Sequence, residues 1–408
     1  MVEGKKYRQF RVNKHLKRLM AKHYALGRYQ RYWGRPLHRK LAWITSGAPV
    51  ELLRAFKIYS VYPEQYGAIC STAKATEKLC QAAEAAGYSQ DLCSYARSHI
   101  GSILRPDLAP MQGLPKPDLL VACNNICGTV LKWYEALAHL LKVPLLMLDT
   151  PYLPGELTEH AHQYVLEQLQ NMVGQLENLT GRKLDMQELK RQMARSAEMT
   201  KLWREIRELA QAHPSPLNGP DLFIQMAPIV AVRGSQEGIN YYRKLKAETE
   251  ERVRRGEGAI LEEKTRLVWD NIAIWPKLFN FTKMFTERGA CFVTDTYSGG
   301  WAAELASGDP LESLAATYTE IFLNRSPEFR ARQMIELVEA YEADGFVMHS
   351  NRSCKPYSLV QEVIRRRVME KTGVPGLMVE ADMADPRAYA EESVRTRVEA
   401  FLETLQAL

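Results

Sequence analysis

The sequence predicts an α/β fold built from two parallel-sheet units. Short apolar runs alternate with amphipathic helical patterns, and this alternation occurs twice along the chain. Strands that are apolar on both faces are typical of parallel sheets covered by helices on each side. A charge-rich stretch of helical period separates the two series, and a basic segment precedes the first. We therefore expect two Rossmann-like units with a helical insert and a basic N-terminal helical arm.

The order of the patterns predicts four parts: a basic helical arm at 1–40, a first α/β domain at 41–155, a helical domain at 156–260 and a second α/β domain at 261–408. The strands are expected at Leu41–Thr45, Lys57–Tyr62, Asp118–Cys123, Pro144–Asp149, Val268–Ile274, Cys291–Thr294, Gly345–His349 and Gly376–Val379. The helices between them are expected at Thr72–Ala86, Thr129–Leu141, Leu311–Leu323, Pro327–Ala343 and Tyr357–Lys371.

The first 40 residues are strongly basic, with 13 Lys and Arg against one acid, whereas the rest of the chain carries 41 bases and 47 acids. Aromatic side chains are interleaved with these bases, namely Tyr7, Phe10, Tyr24, Tyr29, Tyr32 and Trp33. This composition can neutralise and stack on nucleic acid. However, Leu16, Met20, His23 and Leu26 recur at helical spacing, which favours an amphipathic helix packed on an acidic body or partner. We therefore prefer an interaction surface to nucleic-acid binding.

The composition is that of a globular protein of 408 residues, 46% hydrophobic and 25% charged. No apolar run approaches the ~18 residues of a membrane span, and no apolar region follows the basic N-terminus as in a signal peptide. We therefore expect no membrane association and a cytoplasmic location. Seven cysteines in a chain of this length are too few for a disulfide framework and favour metal binding, catalysis or packing.

Several common catalytic motifs are absent from the sequence. It contains neither G-x-x-x-x-G-K-[ST] nor G-x-G-x-x-G, and neither G-x-S-x-G nor H-E-x-x-H. These absences remove the usual support for an ATPase, a nicotinamide dehydrogenase, a serine hydrolase or a zinc protease. Cysteine chemistry is the main alternative.

Three cysteines stand where α/β folds place ligands. Cys127 and Cys354 each follow a predicted strand and precede a predicted helix, and Cys93 lies in a short polar stretch between helical patterns. A helix N-terminus beyond a strand favours an anion and lowers the pKa of a thiol. Their spacing matches neither a ferredoxin nor a zinc finger, but three converging thiolates could hold an iron–sulfur cluster with one open iron. A zinc protein is the plainer alternative. Packing is expected instead for Cys70, Cys80, Cys291 and, less clearly, Cys123.

Two polar residues also follow predicted strands. Ser46 lies in the turn Trp43–Pro49, and Glu64 ends the segment Val61–Glu64 after the next strand. Both therefore belong to the carboxyl-end zone where ligands bind in open α/β sheets. Ser46 could instead cap the helix that begins near Pro49, and Glu64 could be a surface acid.

Taken together, these segments resemble the family of 2-hydroxyacyl-CoA dehydratases and benzoyl-CoA reductases, and most closely the cluster-bearing α-type dehydratase subunit. The resemblance runs along nearly the whole chain. The blocks that carry it are Trp43–Pro49, Val61–Glu64, Asp91–Arg97, Cys123–Glu135, Met147–Thr150, Pro214–Phe223, Asn351–Pro356 and Ala381–Arg387.

The resemblance implies a [4Fe–4S] cluster between the α/β units, held by Cys93, Cys127 and Cys354 with the fourth iron open. Ser46 would bond the substrate hydroxyl, and Glu64 would handle the proton or the leaving hydroxide. The implied partners are a homologous second subunit, an acyl-CoA substrate and a separate ATP-hydrolysing iron–sulfur activator. The activator would supply one electron for a radical elimination of water from a (R)-2-hydroxyacyl-CoA, which agrees with the missing phosphate loop.

Two departures from the family pattern concern the substrate. The chain has Gln65 where the family pattern has Asn, and Gly47–Ala48 replace bulkier residues after the serine. An ATP-dependent aromatic acyl-CoA reductase subunit therefore remains an alternative, as does a double-cluster small-molecule reductase, which would be a homodimer. A non-catalytic partner subunit is the third alternative, and the three cysteines argue against it.

Overall fold

The computed structural model describes residues 8–32, 39–302, 305 and 308–407, without the side chains of residues 31 and 32. It confirms the predicted fold class, because the described chain forms two four-stranded parallel sheets flanked by helices. No helix in the described part of the chain is long and apolar enough to cross a membrane.

The two sheets have the same topology. Sheet 1 has the order β2-β1-β3-β4, and sheet 2 has the order β6-β5-β7-β8. All pairs are parallel, and the register places Trp43 beside Val61 and Leu120, while Trp269 of sheet 2 lies beside Asp295 and Val347. The strands are β1 (Leu41–Ile44), β2 (Tyr59–Val61), β3 (Leu119–Cys123), β4 (Leu145–Leu148), β5 (Thr265–Asp270), β6 (Ala290–Asp295), β7 (Gly345–Asn351) and β8 (Gly376–Ala381).

Each predicted strand exists, and the largest shift concerns β5. It begins three residues before the predicted Val268 and ends at Asp270 instead of Ile274. The strand stops because Asn271 adopts φ 89° and its amide turns inward, donating to the carbonyl of His349 at 2.7 Å. Positive φ is uncommon outside glycine, and Asn tolerates it better than most residues.

Helices cover both faces of the sheets. In and before the first unit they are α1 (Asn13–Tyr32), α2 (Val50–Ala55), α3 (Pro63–Thr72), α4 (Thr76–Ala85), α5 (Ser94–Leu104) and α6 (Thr129–Leu141). The middle of the chain holds α7 (Glu159–Thr180), α8 (Met186–Glu208), α9 (Gly219–Gln225), α10 (Ala227–Ala231) and α11 (Gln236–Arg254). The second unit holds α12 (Leu278–Thr286), α13 (Thr296–Gly299), α14 (Pro310–Thr319), α15 (Pro327–Ala340), α16 (Lys355–Ser358), α17 (Gln361–Thr372) and α18 (Glu391–Ala407).

Four helix predictions were wrong in their bounds. The helix expected at Thr72–Ala86 begins only at Thr76, as α4, because Thr72 ends α3 and Lys74 adopts φ 59° between the two helices. The helix expected at Tyr357–Lys371 is divided into the single turn of α16 and the longer α17. The helices expected to end at Leu323 and Ala343 end at Thr319 and Ala340. Apolar periodicity continues across both breaks and therefore did not reveal them.

The helical insert packs on both α/β units. Trp203 of α8 is fully buried and donates through Nε1 to the carbonyl of Ser298, 2.9 Å away in the second unit. Arg207 of the same helix donates to the carbonyl of Asp295 at 2.7 Å. On the first unit, Arg233 pairs with Glu51 at 3.2 Å, and both are buried against Tyr318.

The basic arm is helical and lies against α11 of this same chain, where it meets glutamate side chains. Arg11 and Lys22 form ion pairs of 2.5 Å with Glu251 and Glu237 of α11. Glu248 of α11 accepts from the backbone N–H groups of Arg11 and Val12. The apolar face of the arm is buried, with Phe10, Leu16 and Tyr24 at most 7% exposed. The packing alternative is therefore confirmed, with the chain's own body as the acidic surface. Tyr7, Trp33 and the side chain of Tyr32 lie outside the described residues.

Candidate active site

Ser46 and Glu64 meet at the carboxyl edge of sheet 1. Ser46 follows β1 by two residues, and Glu64 lies in the first turn of α3 after the neighbouring β2. The backbone N–H and the hydroxyl of Ser46 both donate to Oε2 of Glu64, at 2.7 and 3.0 Å. Ser46 is not a helix cap, because α2 begins at Val50 and its N-cap position is Pro49.

The Glu64 carboxyl group has an unusual environment. It is half-buried in a largely apolar setting, and burial raises its pKa to about 7, against the two hydrogen bonds from Ser46, which lower it. A carboxyl group with a pKa near neutrality can both accept and donate a proton at working pH. The surroundings of Glu64 therefore favour a role in general acid–base chemistry over the alternative that it is an ordinary surface carboxylate.

The turn that carries Ser46 is held by Asn125. The Asn125 amide donates to the carbonyl of Gly47 at 3.0 Å and to the carbonyl of Tyr318 at 2.7 Å. A Cβ at position 47 would lie 2.3 Å from Oδ1 of Asn125, so a larger residue does not fit without movement. The glycine noted in the sequence therefore permits close contact between the serine turn and the segment that precedes Cys127.

Cys127 and Cys354 occupy equivalent places in the two sheets. Cys127 follows β3 by four residues and Cys354 follows β7 by three, and β3 and β7 hold the same position in their sheet orders. Both thiols are half-buried, and each precedes a helix. Sγ of Cys127 accepts from the backbone N–H of Thr129 at 3.2 Å, as expected for an anion site at a helix N-terminus. The strand-end positions inferred from the sequence are those the structure has.

Cys93 comes from a different kind of element and is brought to Cys354 by its neighbour in sequence. Cys93 is the N-cap residue of α5, and the next residue, Ser94, donates its backbone N–H to Oγ of Ser353 at 3.1 Å. Ser353 directly precedes Cys354 and also bonds Asp382 beyond β8. This contact joins the two cysteine-bearing segments, and therefore the two α/β units, at one point.

A buried ion-pair network holds the Cys93 segment in place. Arg97, four residues beyond Cys93, is 3% exposed and donates to Asp385 at 2.9 Å and to the carbonyl of Leu92 at 3.0 Å. Glu84 and Arg387 complete the network. Because Asp385 and Arg387 belong to the second unit and Arg97 to the first, the network fixes the two units relative to each other beside the thiols.

The three thiols are close enough to influence each other electrostatically. Burial raises the pKa of each, and the charges of Cys127 and Cys354 raise that of Cys93 further. In the part of the chain that the structure describes, no three His, Cys, Asp or Glu side chains are grouped so as to hold a metal ion. A four-iron cluster makes a different demand, since each thiolate binds its own iron atom and the thiols need not meet at one point. The other four cysteines are fully buried, as expected for packing.

A cavity of about 300 Å³ opens beside these groups. Ser46 and Glu64 contribute polar groups to its lining, and Tyr95 and Tyr297 line it as well. Burial raises the pKa of both phenols, and the charge of the nearby Cys354 raises it further. Most of the remaining lining is apolar. The lining residues are Leu16, Lys17, Met20, Tyr24, Ser46, Glu64, Gln65, Ala68, Ile69, Thr72, Tyr95, Phe223, Ile224, Met226, Ala227, Val230, Trp275 and Tyr297.

Several of these residues were missed in the sequence. Tyr95 belongs to the Asp91–Arg97 block, but no signal separated it from the cysteine beside it. Tyr297 follows the strand-end residue Asp295, a position that could have identified it. The contribution of α1 could not have been found, because the helical spacing of Leu16, Met20, His23 and Leu26 predicts a buried face without indicating what that face covers.

A family model described as "2-hydroxyglutaryl-CoA dehydratase, D-component" matches residues 45–405. This range includes all five residues predicted for the site and excludes α1.

Curated relatives match over most of their own length. The chain is 34% identical over 391 residues to the (R)-2-hydroxyisocaproyl-CoA dehydratase alpha subunit of Clostridioides difficile, covering 95% of this chain and 94% of the relative. It is 32% identical to the lactoyl-CoA dehydratase alpha subunit of Anaerotignum propionicum, over 90% of this chain and 91% of that relative. It is also 30% identical to a benzoyl-CoA reductase subunit of Thauera aromatica, over 86% of this chain and 85% of that relative.

Proposed function

The chain belongs to the 2-hydroxyacyl-CoA dehydratase and benzoyl-CoA reductase family, and on this premise we propose that it is the iron–sulfur α-type subunit of a (R)-2-hydroxyacyl-CoA dehydratase. The observation that supports this choice is the Ser46–Glu64 pair, which lines an apolar cavity. Glu64 is also close enough to Cys127 for its charge to add to the effect of burial on the pKa of that thiol. A dehydratase must bind a hydroxyl, remove a proton and exclude bulk water, and this arrangement offers a group for each task.

The thiols of Cys93, Cys127 and Cys354 would hold a [4Fe–4S] cluster. Their residue type fits, and so do the half-burial of each thiol and the N–H donor that Cys127 already receives. When bound, the cluster would supply electron transfer and an open iron that polarises a carbonyl oxygen. Arg330, which influences Cys354, is a nearby positive charge that favours anionic ligands.

Ser46 and Glu64 would act on the substrate as a unit. The Ser46 hydroxyl donates to Glu64 in the free protein and can instead bond the substrate's 2-hydroxyl group. Glu64 Oε2 is then free to take a proton from C3 of the acyl chain or to deliver one to the departing hydroxide. Its pKa of about 7 keeps both forms populated near neutrality.

Two protein partners complete the proposal. The relatives are named as alpha subunits, which supports a second, homologous subunit here. A separate ATP-hydrolysing activator would supply the electron, because the sequence has no phosphate-binding loop of its own. The acyl-CoA substrate would enter the cavity with its thioester toward the thiols.

The test is anaerobic purification with the partner subunit, followed by iron and sulfide analysis and an assay of 2-hydroxyacyl-CoA thioesters with activator and ATP. We expect about four irons per chain and dehydration without net consumption of reductant. A chain without iron after reconstitution would contradict the cluster assignment.

The match to a benzoyl-CoA reductase subunit supports a second candidate, an ATP-dependent reductase of an aromatic acyl-CoA. The same assay separates the two functions. Consumption of two electrons for each acyl-CoA converted would establish the reductase and exclude the dehydratase.

A further inference from the structure

We propose that helix α1 is the specificity wall of the acyl cavity, and that the cavity takes an apolar 2-hydroxyacyl chain in preference to one ending in a carboxylate. This inference rests on the proposed function, because it assumes that Ser46 and Glu64 mark the reacting end of the cavity. It concerns the opposite side, where the arm contributes the lining.

The wall is one face of the helix. Leu16, Met20 and Tyr24 stand at intervals of four residues, so their side chains lie along one line of α1, and all three line the cavity. Leu16 and Tyr24 are 7% and 5% exposed, and Met20 is half-buried. Met226 and Val230, which lie just before and within α10, also line the cavity, and α10 packs against α1. The room left for an acyl chain therefore depends on the size of the α1 side chains.

The α1 face contacts Gln65, which directly follows Glu64 in the sequence. Oε1 of Gln65 accepts from the Tyr24 hydroxyl at 2.9 Å, while its Nε2 contacts Sδ of Met20 at 3.9 Å and the carbonyl of Ala227 at 3.5 Å. Gln65 therefore joins α1, α3 and α10 at the cavity. The Asn-to-Gln departure seen in the sequence gives this side chain the extra length with which it spans these elements.

Hydrogen bonds near the start and near the middle of α1 also fix the position of this helix face. Gln225 donates to Oδ1 of Asn13 at 2.7 Å near its start. Further along, the Tyr59 hydroxyl bonds both the ring and the carbonyl of His23. A helix held at several points presents its side chains at a defined depth, which is what discrimination between acyl chains requires.

The chemistry of the lining selects apolar chains. Away from Ser46 and Glu64, the described lining residues offer one cation, Lys17, and its side chain is exposed at the rim. The Tyr24 hydroxyl donates to Gln65, and the Tyr95 hydroxyl accepts from Nε1 of Trp275, so these two phenols offer neutral hydrogen-bonding groups and no positive charge. A second carboxylate inside the cavity would therefore lose its hydration without gaining a charged partner, which is unfavourable.

The experiment compares the wild-type holoenzyme, with partner and activator, to Met20→Ala and Met20→Trp. The probes are 2-hydroxyacyl-CoA thioesters with three, four and six carbons in a straight apolar chain, and a five-carbon thioester ending in a carboxylate. Arg18→Ala is the matched control, because Arg18 is exposed on the same helix and does not line the cavity. Met20→Phe is a milder filling variant in case Met20→Trp does not fold.

We expect the wild type to prefer apolar chains over the carboxylate chain by at least tenfold in kcat/KM. Met20→Trp or Met20→Phe should reduce kcat/KM for the six-carbon chain at least tenfold and leave the three-carbon chain within about twofold. Met20→Ala should shift the preference toward longer chains, and Arg18→Ala should leave the profile unchanged. Equal changes for every chain length, or a preference for the carboxylate chain, would overturn the inference.

The specificity inference can be tested even if the proposed dehydratase function is wrong. If the wild type dehydrates no thioester, calorimetric affinities for saturated acyl-CoA esters of the same lengths replace kcat/KM. The wall then predicts that Met20→Trp or Met20→Phe weakens binding of the six-carbon ester selectively. Affinities that do not change with the residue at position 20 would overturn the wall whatever the reaction is.

Discussion

The carboxyl edges of the two sheets share a strand order and one cysteine position, yet the pKa values of Glu64 at one edge and Asp385 at the other are shifted in opposite directions. At sheet 1, Glu64 accepts its hydrogen bonds from Ser46 and faces a cavity, and burial raises its pKa to about 7. At sheet 2, burial also acts to raise the pKa of Asp385, but hydrogen bonds from Arg387 and the charges of Arg387 and Arg97 bring it below its ordinary value. One edge keeps a carboxyl group poised for proton transfer, and the other uses a carboxylate to hold the two units together.

This difference shows that position in the topology is not enough to assign a role. Asp295 and Asp382 also stand at strand ends of sheet 2, where they accept hydrogen bonds from Ser298 and from the backbone of Ala384 and Asp385. These carboxylates organise their own turns. A neighbouring hydroxyl does not distinguish Glu64, because the hydroxyls of Ser298 and Ser353 donate to Asp295 and Asp382. Glu64 differs because it lines the cavity. The following predictions test the contrast, from the largest expected effect to the smallest.

Replacing Cys354 by Ala should abolish cluster binding, because the cluster would lose one of its three proposed ligands. We expect the iron content to fall and dehydration to decrease at least ~100-fold. Cys291→Ala is the control, since Cys291 is fully buried inside β6 and serves packing. Iron analysis and the coupled assay measure both. Equal iron content in the two variants would show that the equivalence of Cys127 and Cys354 has no functional meaning.

Glu64→Gln should remove the proton-transfer group while keeping its shape. We expect kcat to fall by about 10²–10⁴-fold, with the iron content unchanged. Because burial raises the pKa of Glu64 to about 7, its ionised form destabilises the native state, and the neutral Gln should raise the free energy of unfolding at pH 7, by up to about 3 kcal/mol. Steady-state kinetics and urea denaturation check these outcomes. A variant with wild-type kcat would exclude Glu64 from the chemistry.

Asp385→Asn should behave in the opposite way, as a stability variant. It leaves the buried guanidinium of Arg97 without its second carboxylate, and breaking a buried pair of this kind costs about 3 kcal/mol. The matched control is Glu328→Gln, whose exposed pair with Arg367 should contribute under about 1 kcal/mol. Urea denaturation compares the two variants. Similar losses of unfolding free energy in both variants would show that the ion-pair network at sheet 2 does not hold the two units together.

Gly47→Ala should disturb the turn that carries Ser46 at its contact with Asn125. The new Cβ would lie 2.3 Å from Oδ1 of Asn125, so the amide that holds the turn must move. We expect a loss of about 1–3 kcal/mol in the free energy of unfolding, together with a lower kcat/KM because Ser46 shifts. Gly174→Ala, at an exposed site within α7, should instead stabilise the protein by up to about 1 kcal/mol. Thermal and urea denaturation distinguish the two signs.

The last prediction concerns the pH dependence of stability, with no change in sequence other than at Glu64. Between pH 4.5 and about 7 the native protein holds a proton on Glu64 that the unfolded chain has already lost. Its contribution to the free energy of unfolding is therefore fully present below pH 4.5 and is lost as the pH rises toward 7. Subtracting the pH profile of Glu64→Gln from that of the wild type isolates this contribution. A difference that increases with pH in this window would contradict the raised pKa.

Much of the architecture was predictable from the sequence because the strands are buried on both faces and read as short apolar runs. All eight exist, including the edge strand β2, which is only three residues long. Helix breaks at Lys74 and before Gln361 were not predicted, since they depend on local backbone geometry that leaves the apolar pattern intact. The strand-end positions of Cys127, Cys354, Ser46 and Glu64 followed from the alternation of strands and helices.

What the sequence determined by itself was the order of strands, helices and strand-end side chains, because hydrophobic period and turn residues act over short distances. The tertiary structure decided which of those side chains meet. It brought Cys93 to Cys354 through Ser94 and Ser353, gave Glu64 its apolar surroundings, and placed the arm against α11 and the cavity. These outcomes depend on contacts between residues up to 259 positions apart, where burial and charge are set by the partner and not by neighbours in the chain.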